Sequence, residues 1–415
     1  MDPLSSKLPP KNRKRIPNRI NGVQGTRKFQ MRILINALGA DVGGAANHLS
    51  HFLPALAQIK TENQYWILAR EKFADLKLKG DFNFILQSSN HSKIFFHRFI
   101  FENFAIARLI EIHQIDILVS LTNFGPIKPK VPHIVFQRNP LYFSKWYRKN
   151  SQGKSKIENL LRAQLVHQIM KNSQKVVTPS QSMKKMILET FPDLENISFQ
   201  TLYHGIDIQE PPQPLSFQNM KLFQGEHFKI LYPTLAAFHK GIFLLFDTLR
   251  SLKLSFSKPF KFYLTFSEQD AIQSYAHLPL PADWKELCRH VVFLGNQPQS
   301  QMKAIYQSSD LMFYPSLCES FGFSMVEALG AQLPIVAADT PINHEICQKS
   351  ALYFQWNAPD TAAHQIQQVF EQPEIRNTLI EQGQKALLTF DWSWKRYCFE
   401  FENICNGLKA PRVAA

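Results

Sequence analysis

The chain has 415 residues, 45% of them hydrophobic and 12% aromatic, which is ample for packed interiors and too long for one comfortable core; two domains of ordinary size are expected. Its five cysteines (Cys288, Cys318, Cys347, Cys398, Cys405) are scattered without C-x-x-C spacing, against a disulfide framework or structural zinc and for a reducing compartment. The formal charge of +14 is concentrated in two segments, the apolar runs are too short for a bilayer span, and the start of the chain lacks a secretory signal's apolar centre and cleavage site, so a cytoplasmic chain with a charged surface is expected.

Residues 1–28 are basic, polar and punctuated by Pro3, Pro9, Pro10 and Pro17, with no apolar periodicity, and read as a disordered arm. From Met31 onward short apolar runs alternate with amphipathic stretches. Strands are expected at 32–37, 65–69, 82–86, 117–121, 133–136 and 175–178, with helices between them at 45–60, 102–114 and 156–171. The Pro-rich stretch 209–216 interrupts this pattern and opens a linker over 209–225. A second set of strands follows at 229–233, 261–266, 291–294, 311–314, 334–338 and 352–354, with helices at 242–252, 299–308 and, last, 394–408. Such alternation predicts two α/β, doubly wound, Rossmann-like domains, over 29–208 and 226–392. They would face a cleft at the carboxyl ends of their strands.

Within the first domain, residues 128–162 carry nine basic side chains against Glu158 alone, interleaved with Phe136, Tyr142, Phe143, Trp146 and Tyr147. Cations among aromatics suit an anionic membrane surface, and single-stranded nucleic acid would want the same composition. A solvated helix face with buried aromatics is the equal alternative.

Three loops carry chemistry. Gly43 and Gly44 follow the first strand and can bring backbone N–H groups against a phosphate or sugar, or simply make a tight turn. Lys240, before Gly241, stands after the first strand of the second set, where a cation is unfavourable at a helix start unless an anion sits nearby. Glu319 and Glu327 lie eight positions apart around Ser320, Phe321, Gly322 and Phe323, with a helix expected to open near Gly322. That helix start would offer free N–H groups to a phosphate, and the carboxylates would accept hydrogen bonds from a polyhydroxyl ligand. The histidines form no metal-ligand cluster with Asp, Glu or Cys in the sequence.

The stretch 313–354, with Tyr314-Pro315-Ser316 before Glu319, Phe321-Gly322-Phe323 after it and Glu327-Ala328-Leu329 at the second carboxylate, resembles the E-x7-E signature of glycosyltransferase family 4, retaining enzymes of the GT-B fold. The resemblance implies two Rossmann-like domains facing a central cleft, with the final helix (within 393–415) crossing back onto the first. It implies a nucleotide-sugar donor against the second domain and a glycan, lipid-linked or other hydroxyl acceptor against the first, as in polysaccharide or glycolipid synthesis. By the same resemblance Glu327 would hold the ribose, Glu319 the transferred sugar, Phe321 to Phe323 the sugar and phosphates by their backbone, and Gly43 and Gly44 would border the reacting sugar. Lys240 would neutralise the donor diphosphate; neither a metal nor a bound cofactor is expected.

Two departures stand out. Where the family has an arginine five positions before that lysine, this chain has Leu235; Arg138, and His239 once protonated beside the phosphate, are the candidate replacements. The family's His-Asp pair after the fifth strand is replaced by Gln137-Arg138, and His204 sits in a turn expected to be structural. A degenerate relative that binds nucleotide sugar or glycan without turnover is therefore the second expectation, and a nucleic-acid-binding protein the third; a peripheral position on the inner membrane face, against anionic lipid through residues 1–28 and 128–162, would go with the first.

Overall fold

The computed structural model describes residues 31–40, 43–76, 78, 80–87, 95–206, 211–275, 278–389 and 393–408; the expected arm at 1–28 and part of the linker lie outside them. The first sheet contains β1 (Arg32–Asn36), β2 (Gln64–Arg70), β3 (Phe82–Gln87), β4 (Ile117–Ser120), β5 (His133–Phe136), β6 (Lys175–Thr178) and β7 (Phe199–Thr201), in the order β3-β2-β1-β4-β5-β6-β7. The second contains β8 (Phe228–Tyr232), β9 (Phe260–Leu264), β10 (Val291–Phe293), β11 (Leu311–Tyr314), β12 (Ile335–Ala338) and β13 (Ala351–Phe354), in the order β10-β9-β8-β11-β12-β13. Every pairing is parallel.

Both orders reverse beside the first strand of the sheet, and that reversal leaves a crevice at the strands' carboxyl ends. β4, β5, β11 and β12 are buried along their whole length, as strands covered on both faces by helices must be. The expected strands all appear; β7 was not expected, because its three half-buried residues at the sheet edge carry too little periodicity to stand out.

The last helix, Trp394–Asn406, buries Trp394, Tyr397, Cys398, Phe401, Ile404 and Cys405, a stripe at helical spacing. That stripe packs into the first domain's core with Phe52, Ile33 and Phe136. Glu402 on the same helix accepts from Asn63 (2.8 Å) and Thr61 (3.1 Å), so the crossing-back expected from the resemblance is present.

Direct contacts also join the two halves. Glu345, on the helix Pro341–Cys347, accepts from the backbone N–H groups of Gln181 (2.7 Å) and Ser182 (2.6 Å) and from the Tyr203 hydroxyl (2.8 Å). It thereby satisfies the exposed donors at the start of the first-domain helix Gln181–Thr190 and sits at that helix's positive end. Ser180 donates to the Ser320 carbonyl at 2.7 Å, and Trp146 stacks on Phe238 at 5.4 Å.

Candidate functional site

The loop after β8 is fixed before Lys240 is reached. Tyr232 donates to the Lys240 carbonyl at 2.7 Å, and the Leu317 N–H donates to the His239 carbonyl at 3.0 Å. Gly241 takes φ 77°, and a Cβ there would stand 2.2 Å from the Pro315 carbonyl oxygen, so only glycine lets the two loops touch. The consequence is a cation against a carboxylate: Lys240 Nζ lies 2.5 Å from Glu319 Oε1.

Glu319 Oε1 also accepts from the hydroxyls of Tyr314 and Ser316, each at 2.7 Å. Burial alone would push its carboxyl up; the Lys240 charge and the hydrogen bonds from Lys240, Ser316 and Tyr314 outweigh that and hold it below its ordinary value. Eight residues further along, the chain repeats the arrangement with the opposite balance. Glu327 accepts from Tyr306 (2.9 Å) and Gln299 (2.6 Å), has no cation among these partners, and burial raises its carboxyl above the ordinary value.

Between the carboxylates the helix Phe323–Gly330 starts from Gly322, which sits at φ 88° in the left-handed region. A side chain at Gly322 would meet the Met325 methyl at 2.3 Å as well as the strain of that conformation. The helix start is pinned by Ser324, whose hydroxyl donates to the Pro233 carbonyl at 2.9 Å. Its first N–H groups carry the helix's positive end.

The first domain supplies the facing wall. Asn123, in the loop past β4, takes φ 63° and accepts through Oδ1 from the backbone N–H groups of Arg138 (2.6 Å) and Asn139 (2.9 Å), shaping the loop after β5. Arg138 donates to the Tyr397 hydroxyl (3.0 Å) and to His48 Nε2 (3.2 Å), with its guanidinium 5.4 Å from the Phe136 ring centroid. Because a guanidinium only donates, His48 Nε2 accepts and its proton sits on Nδ1. Burial, then Arg138, holds both His48 and His204 well below the ordinary imidazole range, so both are neutral at pH 7. His204 is more than a turn residue: its ring stacks on Phe323 at 4.8 Å and meets Phe321 edge-on at 5.0 Å.

These walls enclose one cleft of about 670 Å³. Of the residues expected at a site, Gly44, Arg138, His239, Lys240, Glu319, Phe321, Gly322, Phe323 and Glu327 all line it, and Gly43 opens the helix Gly43–Leu56 on which Gly44 stands. A Cβ at Gly44 would have open space around it, so protein packing alone does not require glycine there. Leu235 lines the cleft 60% exposed, the place where the resemblance expects an arginine.

One expectation is narrowed and one corrected. With no anion beside it His239 is not a second cation at neutral pH: burial, with Lys240 adding to it, lowers it to about 4. The aromatics of 128–162 do not form a membrane face, since Phe136, Tyr142 and Phe143 are buried in the core, Trp146 stacks on Phe238 and Phe243, and Tyr147 meets His239 edge-on at 6.0 Å. The bound side of that segment is therefore the interior, and what it presents outward is a different set: Ile157, Leu160 and Leu161 on the helix Gly153–Lys171, beside Lys154 and Lys156.

Sequence reasoning missed the residues that hold the carboxylates. Tyr314 and Ser316 stood in view beside Glu319 as hydroxyls in the motif itself. Tyr306 and Gln299 come from the neighbouring helix Gln299–Gln307 and could be found only in three dimensions. Thr265, Asn296 and Gln297, past the ends of β9 and β10, also line the cleft. Among the described residues no group of three or more His, Cys, Asp or Glu could hold a metal ion, and no helix is long and apolar enough to cross a membrane.

Comparison with known proteins bears on this geometry. Residues 218–386 match the family described as glycosyl transferases group 1. The chain is 25% identical over 237 residues to the O-antigen chain mannosyltransferase RfbU of Salmonella typhimurium, covering 57% of this chain and 59% of that one. It is 28% identical over 110 residues to the phosphatidyl-myo-inositol mannosyltransferase of Mycobacterium leprae, covering 26% and 29%. The chain thus spans about 59% of the length of the first curated relative it matches. Among solved structures, the sucrose-phosphate synthase of Thermosynechococcus elongatus superposes with a TM-score of 0.71 at 14% identity, covering 91% of this chain and 99% of that one. Alr3699/HepE of Anabaena, in complex with UDP and glucose, gives a TM-score of 0.63 at 17% identity, covering 91% and 100%. The fold is the two-domain arrangement expected from the resemblance.

Proposed function

We propose that this chain, whose second domain is of the glycosyl transferases group 1 family, transfers a glycosyl group with retention from a nucleotide sugar to a hydroxyl acceptor. The observation that carries the reading is the preassembled pair Lys240–Glu319 beside the left-handed Gly322 at the helix start, all on one cleft wall. A diphosphate leaving group develops negative charge as the bond from the sugar's anomeric carbon to the phosphate oxygen breaks. Lys240 and the N–H groups of the helix start stabilise that charge. The acceptor oxygen bonds to the same carbon on the same face, and its proton passes to the departing phosphate oxygen. Glu319 holds hydroxyls of the transferred sugar and Glu327 those of the ribose, each as an acceptor. The step as proposed draws its positive charge from the protein and calls on no metal ion.

The mannosyl relatives support testing a mannose donor first, and their names support an acceptor in polysaccharide or glycolipid synthesis. A lipid-linked acceptor also fits the exposed Ile157, Leu160 and Leu161 beside Lys154 and Lys156, an apolar and basic face suited to an anionic headgroup layer. Leu235 favours one alternative, binding without turnover, because it leaves Lys240 as the cation of the second-domain wall.

Purified protein screened by thermal shift against GDP-, UDP- and ADP-sugars, followed by donor hydrolysis and transfer assays on whichever stabilises it, separates the readings. A stabilising donor with turnover supports transfer. Stabilisation with no turnover supports the binding-only alternative, and no stabilisation by any nucleotide sugar removes both.

A further inference from the structure

Among the described residues four charged side chains line the cleft: Lys240, Glu319, Glu327 and Arg138. They sum to zero, and Lys240 already faces Glu319 at 2.5 Å. Arg138 is the exception. No acidic side chain among the described residues pairs with it, its partners are the neutral His48 and the Tyr397 hydroxyl, and its Nε is interior with no acceptor. Three more interior atoms of the same wall are without partners: His48 Nδ1, His204 Nδ1 and Gln137 Oε1. A half-buried cation held among neutral groups is an unstable arrangement unless an anion arrives, because the guanidinium has left water without gaining a countercharge. Among the described residues nothing packs around this wall to supply one, and the cleft is where an anion can enter.

We infer that Arg138 is an anion receptor on the first-domain wall, taking a phosphoryl oxyanion of a ligand and supplying the second positive charge that Leu235 does not. The inference rests on the transferase reading for the ligand's identity but not for its charge. His48 and Tyr397 act on the ligand only through Arg138: by accepting both hydrogens of Nη2 they fix the plane of the guanidinium and leave the Nη1 N–H groups for the oxyanion. The oxyanion has two sources, the donor's diphosphate or a phosphate on the acceptor, and the same test tells them apart.

The full chain is titrated calorimetrically with UDP, GDP and ADP, with the corresponding nucleosides, and with inorganic pyrophosphate, as wild type and as Arg138→Met. The methionine fills the same space without charge. Loss of about 10- to 100-fold in nucleoside diphosphate affinity, with nucleoside binding unchanged, supports the receptor and assigns the oxyanion to the donor. Unchanged nucleoside diphosphate affinity, with pyrophosphate binding to the nucleotide-saturated wild type that disappears in Arg138→Met, supports it and assigns the oxyanion to the acceptor side. Equal binding of every anion by both proteins overturns it. A wild type that binds pyrophosphate through Arg138 but no nucleoside diphosphate keeps the receptor and removes the transferase reading; one that binds no anion removes both. Melting temperature without ligand separates a merely structural arginine, whose loss would lower it sharply while leaving binding per folded molecule intact, from a receptor, whose replacement by methionine leaves it level or raises it. Should Arg138→Met fail to fold, Arg138→Gln keeps an amide donor for His48 and Tyr397 and is read by the same criteria.

Discussion

The two walls of the cleft are built on opposite principles. On the second-domain wall every charged group has its partners: Glu319 takes three hydrogen bonds to one oxygen, Lys240 faces it, and Glu327 takes two. On the first-domain wall the polar groups are gathered but incompletely paired, with Arg138, His48, His204 and Gln137 each carrying an interior atom without a partner. A satisfied wall is rigid and pre-set, as a site must be where charge develops during reaction. An unsatisfied wall is stabilised by what it binds. The difference teaches where to expect rate effects and where to expect affinity effects.

The sharpest way to break this contrast is Lys240→Ala. It strips the cation from the satisfied wall and leaves Glu319 buried without its countercharge. Turnover is expected to fall by about 100- to 1,000-fold, the scale seen when a transition-state donor is removed, with donor affinity falling much less. Normal rates would show that the leaving group is stabilised elsewhere. Glu327→Ala ranks next, and its effect should be of the other kind: about a 10-fold loss of donor affinity with turnover at saturation nearly kept, because a ribose contact is the same before and during reaction. Steady-state kinetics with a varied donor measures both, and a fall confined to the turnover number would remove the ribose role.

How much of this was legible beforehand follows the same division. The alternation of apolar runs marked out both sheets, and glycine, lysine and glutamate at two loops marked the second-domain wall, because those loops are set by local backbone needs such as the left-handed Gly241 and Gly322. Their supporting hydroxyls were only partly readable: Tyr314 and Ser316 are close in sequence, whereas Tyr306 comes from another helix. The first-domain wall was harder. Arg138 stood out by position, but its setting depends on Tyr397, 259 residues away, and on His48, 90 residues away, and no spacing rule reaches that far. The aromatics of 128–162 misled for a related reason: Trp146 packs against Phe238, a partner that belongs to the other domain.

Leu235→Arg tests whether the two walls exchange roles. The side chain is exposed at 60% in the cleft, so the longer residue has room. With Arg138 present, donor affinity should rise only about 3-fold; in an Arg138→Met background the same change should recover about 10-fold, since the two cations would serve one anion. Equal gains in both backgrounds would mean that the two positions act on different groups, and a calorimetric double-mutant cycle decides it.

The smallest effect separates the two glutamates, alike in sequence and opposite in setting. Glu319 is held below its ordinary value of 4.5, so its ionised form favours the folded state; that contribution is present above 4.5 and is lost as pH falls through its depressed folded value. Glu327 is raised by burial, so its folded state takes up a proton first. Its contribution is present below 4.5 and is lost as pH rises through the raised folded value. Melting curves followed from pH 7 down to pH 3 should therefore show wild type losing its advantage over Glu319→Gln below pH 4.5 and gaining on Glu327→Gln above it as the pH falls, by about a few degrees at most in a chain of this size. Parallel slopes for the two variants would mean that Lys240 does not hold Glu319 ionised against its burial, and the pre-set wall would then owe its order to the hydroxyls of Tyr314 and Ser316 alone.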